Sequence, residues 1–271
     1  MQTPGGRWSS GSPIGLRLTE ALRDLRVAWY LAGMSLRREF FGLSLGRIWL
    51  VLEPALQAWT YYILLKYIFS LSGASVSFAT FFSAVTFWRS HASMCASSAN
   101  LIVESTRYAG SDISLRVPYL EFLFSELISF GFRFAVLILF LRVSGYLLDV
   151  SHVYLLFIAM VQFAFSMSLS VWISVLGGFF RDTGRFVGHI VWLWWFFSPG
   201  LYTIGQVPED IRWVYDLNPF AYIMPAIVDA AVNGKVSHFG PLVWLLLGSL
   251  VAIIPGAWLA GRTKHHILFR V

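Results

Sequence analysis

The sequence predicts an all-α integral membrane protein with six transmembrane helices. An amphipathic helix at the cytoplasmic interface precedes them, and two short re-entrant helices lie between spans five and six. Three observations carry this expectation. First, 57% of the 271 residues are hydrophobic and only 13% are charged. A soluble domain has roughly 25% charged residues, so these charges are too few to coat a globular surface of this size, and lipid must solvate much of the chain. Second, six apolar stretches are long enough to span. Third, Lys and Arg are distributed unequally between the two sets of connections.

About 20 helical residues cross a ~30 Å hydrocarbon core. The stretches that meet this length are Ile48–Phe69, Phe78–Val103, Tyr119–Leu141, Val153–Leu176, Phe186–Tyr202 and Leu242–Ala260. One side of the resulting topology holds Arg7, Arg17, Arg23, Arg26, Arg37, Arg38, Arg47, Arg107, Arg116, Arg181, Arg185, Arg262, Lys264 and Arg270. The other holds only Arg142, Arg212 and Lys235. Basic residues stay inside, so the first side is cytoplasmic and carries both termini, and the expected location is the cytoplasmic (inner) membrane. The net charge of +6 does not indicate a nucleic-acid partner, because the charges lie in short connections between apolar runs and not on one basic face. Cys95 is the single cysteine, which excludes an intramolecular disulfide.

Residues 1–15 read as a flexible cytoplasmic tail and not as a signal peptide. Residues 16–46 carry the interface helix. Leu18, Leu22, Leu25, Trp29 and Ala32 recur at helical spacing among Arg17, Glu20, Arg23, Asp24, Arg37, Arg38 and Glu39, the pattern of a helix lying in the interface plane. Such a helix serves either as an anchor or as a gate or docking element. Residues 47–271 form the transmembrane domain. Within it, 208–233 is interrupted by Pro208, Pro219 and Pro225, too often for a simple span, yet it is too apolar for a free loop. Two short helices dipping into the outer leaflet satisfy both facts, since irregular backbone at that depth must be buried in protein or line a cavity. A pair of helices lying on the outer surface is the alternative.

The run Arg37-Arg38-Glu39-Phe40-Phe41-Gly42-Leu43-Ser44-Leu45-Gly46-Arg47-Ile48-Trp49-Leu50-Val51-Leu52-Glu53-Pro54 resembles the approach to the first span in the membrane subunits of polysaccharide-exporting ABC transporters, those for O-antigen, capsule and teichoic acid. Arg181-Asp182, Ser198-Pro199-Gly200-Leu201-Tyr202, Pro208 and Asn218-Pro219 resemble further motifs of that family, in its order and spacing. The resemblance covers roughly Arg23 to the C-terminus. It implies a homodimer of six-span subunits and two bound ATP-binding subunits, with a polysaccharide or lipid-linked glycan passing through a channel at the dimer interface. It also implies a gate or re-entrant segment containing Pro199, Pro208, Asn218 and Pro219. The run Phe87-Trp88-Arg89-Ser90-His91 departs from the pattern, as span two of that family has only an aromatic and small polar residues there. The loop Glu104–Val117 also lacks the usual Lys-x-x-x-Pro-Arg form.

No stretch reads Gly-x-x-x-x-Gly-Lys-Ser/Thr, so ATP and Mg would be bound by the partner subunit and no cofactor is expected on this chain. Coupling to that partner would use Arg37, Arg38, Arg107, Arg116, Arg181 and Asp182, although Arg181 beside a helix C-terminus is also simply favoured by the dipole. Trp192, Trp195, Pro199 and Tyr202 fall at i, i+3, i+7 and i+10, one face of a continuous helix. Aromatic faces stack on the C–H faces of sugar rings without gripping any one ring, which suits a sliding chain. Trp59, Phe87 and Trp88 are further candidates for the same lining. Lipid-facing or bundle-packing aromatics are the alternative for all of them. A charge at a helix centre costs roughly 2.5–3.5 kcal/mol on insertion scales. Arg89, near the middle of span two, therefore either faces a wet channel, where it would suit acidic sugars or a phosphate linkage, or pairs with Glu53 or Glu126. The six His residues are scattered, and no metal site is expected.

Two other functions share parts of this pattern: an ABC permease for a drug or small lipid, and a membrane-embedded transferase. The second requires clustered polar residues at a membrane face, whereas the acids and histidines here are dispersed. The topology makes a direct prediction. A cysteine at Asp216 should react with a membrane-impermeant maleimide added outside the cell, and labelling only from the cytoplasmic side would reverse the assignment.

Overall fold

The computed structural model describes residues 13–39, 44–69, 77–105, 108, 113–114, 116–146 and 150–268. The expected tail therefore lies almost entirely outside the described residues, as does Arg107. All regular structure among the described residues is helical. Among the described residues, three helices are long and apolar enough to cross a membrane: Val117–Val143, Val153–Phe179 within a longer helix, and Phe239–Thr263 within another.

Helix α1 (Pro13–Glu39) packs along α5 (Val117–Val143). Asp24, Ala28, Ala32 and Leu36, four apart, form its buried face, and Leu22, Leu25, Trp29 and Tyr30 stay exposed. Trp29 also reaches back, edge-on to Phe124 at 5.5 Å between ring centroids. The amphipathic pattern thus describes two faces. A narrow small-residue face meets protein, and the large apolar stripe is left for another medium, as in interfacial helices.

Helix α2 (Trp49–Ile63) runs on through a π turn at Leu64–Ile68, with Pro54 inside it. Ser77 accepts a hydrogen bond from the Thr80 N–H at 3.1 Å and so caps α3 (Phe78–Ser98). The sequence predicts one span over 78–103, but the helix breaks at Ala99–Asn100 and resumes as α4 (Leu101–Ser105). The cause is a close approach. Helix α6 (Val150–Phe179) crosses there, and a Cβ on Gly177 would lie 1.7 Å from the Ala99 carbonyl oxygen.

The α3–α6 seam is the polar spine of the fold. Gln162, Ser166 and Ser170, each four residues apart on α6, bond to α3 in turn. Gln162 Nε2 donates to the Phe87 carbonyl at 2.5 Å, Ser166 Oγ meets His91 Nδ1 at 2.8 Å, and Ser170 Oγ donates to the Met94 carbonyl at 3.2 Å. Small and hydroxylated residues at this spacing bring helices close where apolar packing gives no preference over lipid. Helix α10 (Phe239–Leu268) lies along α6 but buries little of itself.

The fifth predicted span, 186–202, forms a shorter helix, α7 (Thr183–Phe196). At 1.5 Å per residue it is about 21 Å long, short of a ~30 Å hydrocarbon core. It ends ahead of Ser198-Pro199, where the residue before proline is disfavoured in α geometry. The expected single helical face through Tyr202 therefore stops at Trp195. Residues 208–233 do contain two short helices, α8 (Arg212–Asp216) and α9 (Phe220–Val228), the latter continued by a π turn at Asp229–Asn233. The two differ sharply. Phe220, Ile223, Met224, Ala226 and Ile227 of α9 are fully buried against α3 and α6, whereas Trp213, Val214 and Leu217 are exposed.

Overpacking a tight crossing costs typically 1–3 kcal/mol. Gly177→Ala should lower the unfolding temperature of the purified chain clearly. Gly131→Ala, where nothing lies within 4 Å, should leave it unchanged. Equal behaviour of the two variants would remove the close approach as the reason for the α3–α4 break.

Candidate functional site

A cavity of about 470 Å³ opens between α2, α3 and α7. Trp49, Glu53, Gln57 and Tyr61 line it from α2, while Trp88, Arg89 and Ser93 line it from α3. Val191, Trp192 and Trp195 come from α7, and Arg133 reaches in from α5. Residues three and four apart share a helix face, which is why these sets converge.

Arg89 pairs with Glu53 across the α2–α3 contact. Of the two partners that the sequence allows, the structure selects Glu53. Glu126 instead accepts a hydrogen bond from Ser97 Oγ at 3.0 Å. The Arg89–Glu53 pair is not sealed between helices, since the side chains keep 36% and 54% of their exposure. Arg133 is buried and reaches Ser90 Oγ at 3.5 Å. Arg133 and Ser93 also line a second cavity of about 470 Å³ with Ser35, Arg38, Ser97, Asn100, Glu104, Glu121 and Glu126. The two spaces thus meet at Ser93 and Arg133.

The aromatic wall is buried at its base and open at its rim. Trp195 is 2% exposed. It stacks on Tyr61 at 5.7 Å between centroids and meets Trp88 at 5.3 Å with the rings tilted by 50°. A Cβ on Gly200 would lie 2.8 Å from the Trp195 ring, so the turn after α7 can close over Trp195 only with glycine there. The Trp195 indole N–H is buried without an acceptor. Trp192 stands 62% exposed at the rim.

Of the seven residues expected to line a channel, Trp88, Arg89, Trp192 and Trp195 meet in this cavity. Phe87 does not. One residue from Trp88, it turns about 100° away and packs against Phe130 and Phe134. Trp59 is exposed further along α2, against Tyr62 and Phe78. Tyr202 lies beyond the end of α7, where its hydroxyl meets that of Tyr215 at 2.8 Å.

Asn218 is the junction between α7 and the outer segment. Its Oδ1 accepts from Trp194 Nε1 at 2.9 Å and from the Phe220 N–H at 3.0 Å. Its Nδ2 donates to the Phe197 carbonyl at 2.8 Å, with Ser198 Oγ at 3.4 Å. Pro199 is buried nearby, while Pro208 is exposed. His91, Trp88, Trp194 and Phe220 form an aromatic box directly beneath.

Comparison with known proteins decides the family. Residues 29–231 match the model of the ABC-2 type transporter family. The chain belongs to that family. Two relatives, both O-antigen export system permease proteins RfbA of Klebsiella pneumoniae, are each 27% identical to it over 241 residues, covering 86% of this chain and 90% of theirs. The matched region of this ABC-2 chain contains the cavity, the aromatic box and Asn218.

The family is one of membrane transport subunits, which work with an ATP-binding ABC subunit. The residues expected to meet that partner are scattered along the ABC-2 chain. Arg37 and Arg38 are exposed at the end of α1, Arg116 is exposed just before α5, and Arg181 and Asp182 are exposed in the turn between α6 and α7. Among the described residues no group of three or more His, Cys, Asp or Glu side chains could hold a metal ion.

Sequence reasoning missed Gln162, Ser166, Ser170 and His91. The four-residue recurrence of Gln162, Ser166, Ser170 and Ser174 within an otherwise apolar span was the available signal. Removing a junction of this kind leaves buried donors and acceptors unsatisfied, at about 1–3 kcal/mol each. Asn218→Ala should therefore lower the unfolding temperature and expose residues 203–219 to protease, while Asn233→Ala should do neither. An Asn218→Ala variant as resistant as the parent would show that other contacts hold the segment.

Proposed function

We propose that this chain is the channel-forming membrane subunit of an ABC transporter that exports a polysaccharide or lipid-linked glycan. Two copies would assemble with two separate ATP-binding subunits in the cytoplasmic membrane. Each copy would contribute six spans, the fifth made of α7 together with the turn that follows it, with both termini cytoplasmic. Helices α8 and α9 would form the re-entrant pair, and α1 would lie in the lipid interface.

The observation that carries this reading is the aromatic wall of the α2–α3–α7 cavity. Tyr61 and Trp88 both pack against Trp195, and Trp192 projects at the rim. Such faces attract the C–H faces of sugars through weak contacts that can form and break as a chain advances. The likeness to permeases named for O-antigen export supports the same cargo class. ATP binding and closure of the partner subunits would move the cytoplasmic turns, and the short α7, joined through Asn218 to the outer segment, would carry that motion outward.

Trp192→Ala removes an exposed ring and should leave membrane levels of the protein intact while reducing surface glycan several-fold in cells. Affinity purification of the parent should recover an ATP-binding subunit. Unchanged surface glycan in cells lacking the chain altogether would defeat the export reading.

A further inference from the structure

Resting on that reading, we infer that Glu53 is a built-in stand-in for an anionic group of the cargo, held on Arg89 until the cargo displaces it. The cargo then carries an oxyanion, either a carboxylate on its sugars or a phosphate in its chain or carrier.

The geometry separates this from a purely structural ion pair. A fully buried pair cannot exchange, because losing either partner strands an uncompensated buried charge, whereas an exposed pair contributes only about 0–1 kcal/mol and gives way to a competing ion. Here both side chains stay more than a third exposed to a space of about 470 Å³. Among the described residues Glu53 is the one carboxylate in that lining, and it takes Arg89, while Arg133, also in the lining, reaches Ser90 Oγ. Aromatic rings make up much of the remaining wall, so the cavity presents stacking surface beside the Arg89–Glu53 pair. A guanidinium fork matches carboxylate and phosphate oxygens and makes strong charge-assisted hydrogen bonds with them. The buried Trp195 N–H has no acceptor in the same wall. Glu53 occupies Arg89 from the neighbouring helix, which keeps the guanidinium neutralised while the cavity is empty. A cargo oxyanion would exchange for it without leaving Arg89 unpaired, and the released Glu53 carboxylate, already half exposed, would turn into the open space and be hydrated there.

The test uses the full chain with its co-purified ATP-binding subunits in lipid nanodiscs. Binding is measured with a galacturonic-acid tetrasaccharide, the neutral maltotetraose and inorganic diphosphate. The acidic tetrasaccharide should bind at least about ten-fold more tightly than the neutral one. Arg89→Gln should abolish that preference. Glu53→Gln should act in the opposite sense and tighten acidic binding, because the competitor is gone. Diphosphate binding with the same Arg89 and Glu53 dependence, in place of acidic-sugar binding, would assign the oxyanion to phosphate. Equal affinity for the two tetrasaccharides, unaffected by Arg89→Gln, would overturn the inference and leave the glycan reading standing. Matching losses of thermal stability in both variants with no change in selectivity would show a structural pair. No binding of any probe, with Trp192→Ala also silent in export, would remove both readings.

Discussion

The close contact between α3 and α6 is the constraint on which the rest depends. In lipid, apolar side chains gain little by leaving the solvent for one another, so helix pairing relies on close packing and on interhelical hydrogen bonds averaging ~0.6 kcal/mol each. The seam supplies both. Gln162, Ser166 and Ser170 bond to successive points on α3, and Gly177 admits the Ala99 carbonyl. With that face of α3 committed to α6, Trp88 and Arg89 are carried round toward α2 and α7, and Phe87 toward α5. The cavity is thus a consequence of the seam as much as of its own lining.

The outer part of the molecule is organised by polar junctions within an apolar setting. Helix α9 can be almost wholly apolar because Asn218, just ahead of it, satisfies the backbone where α7 ends and the outer segment begins. The aromatic box of His91, Trp88, Trp194 and Phe220 fills the space below. Two neighbouring tryptophans of α7 are thereby divided in purpose. Trp194 ties α7 to the outer segment, and Trp195 forms the wall of the cavity.

The helical class and most element positions were legible because membrane-solvated helices must be long and apolar, a signal that survives in composition alone. The limits of that signal show at particular residues. The break at Ala99–Asn100 was invisible because its cause, Gly177, is distant in sequence. The face through Trp192, Trp195, Pro199 and Tyr202 assumed a helix that Ser198-Pro199 ends, a stop that the proline could have announced. Trp88 and Phe87 looked equivalent because aromatic content was read without the azimuth of each residue. Arg89 was legible as an anomaly, since a charge mid-helix demands a partner, and Glu53 was among the partners in reach. The expected coupling residues are exposed where described, but exposure alone gives them no common surface.

The Glu53–Arg89 pair also bears on how the chain reaches the membrane at all. The two residues lie on consecutive helices, so they leave the ribosome within one helical hairpin. An isolated Arg89 entering the bilayer with α3 would meet a penalty of roughly 2.5–3.5 kcal/mol, enough to disfavour lateral release of a helix already rich in Ser and Thr. Paired within the hairpin, the two charges can partition together as a neutral unit before α5, α6 or α7 has been synthesised. The order of the chain therefore supplies the counter-charge ahead of the residue that needs it.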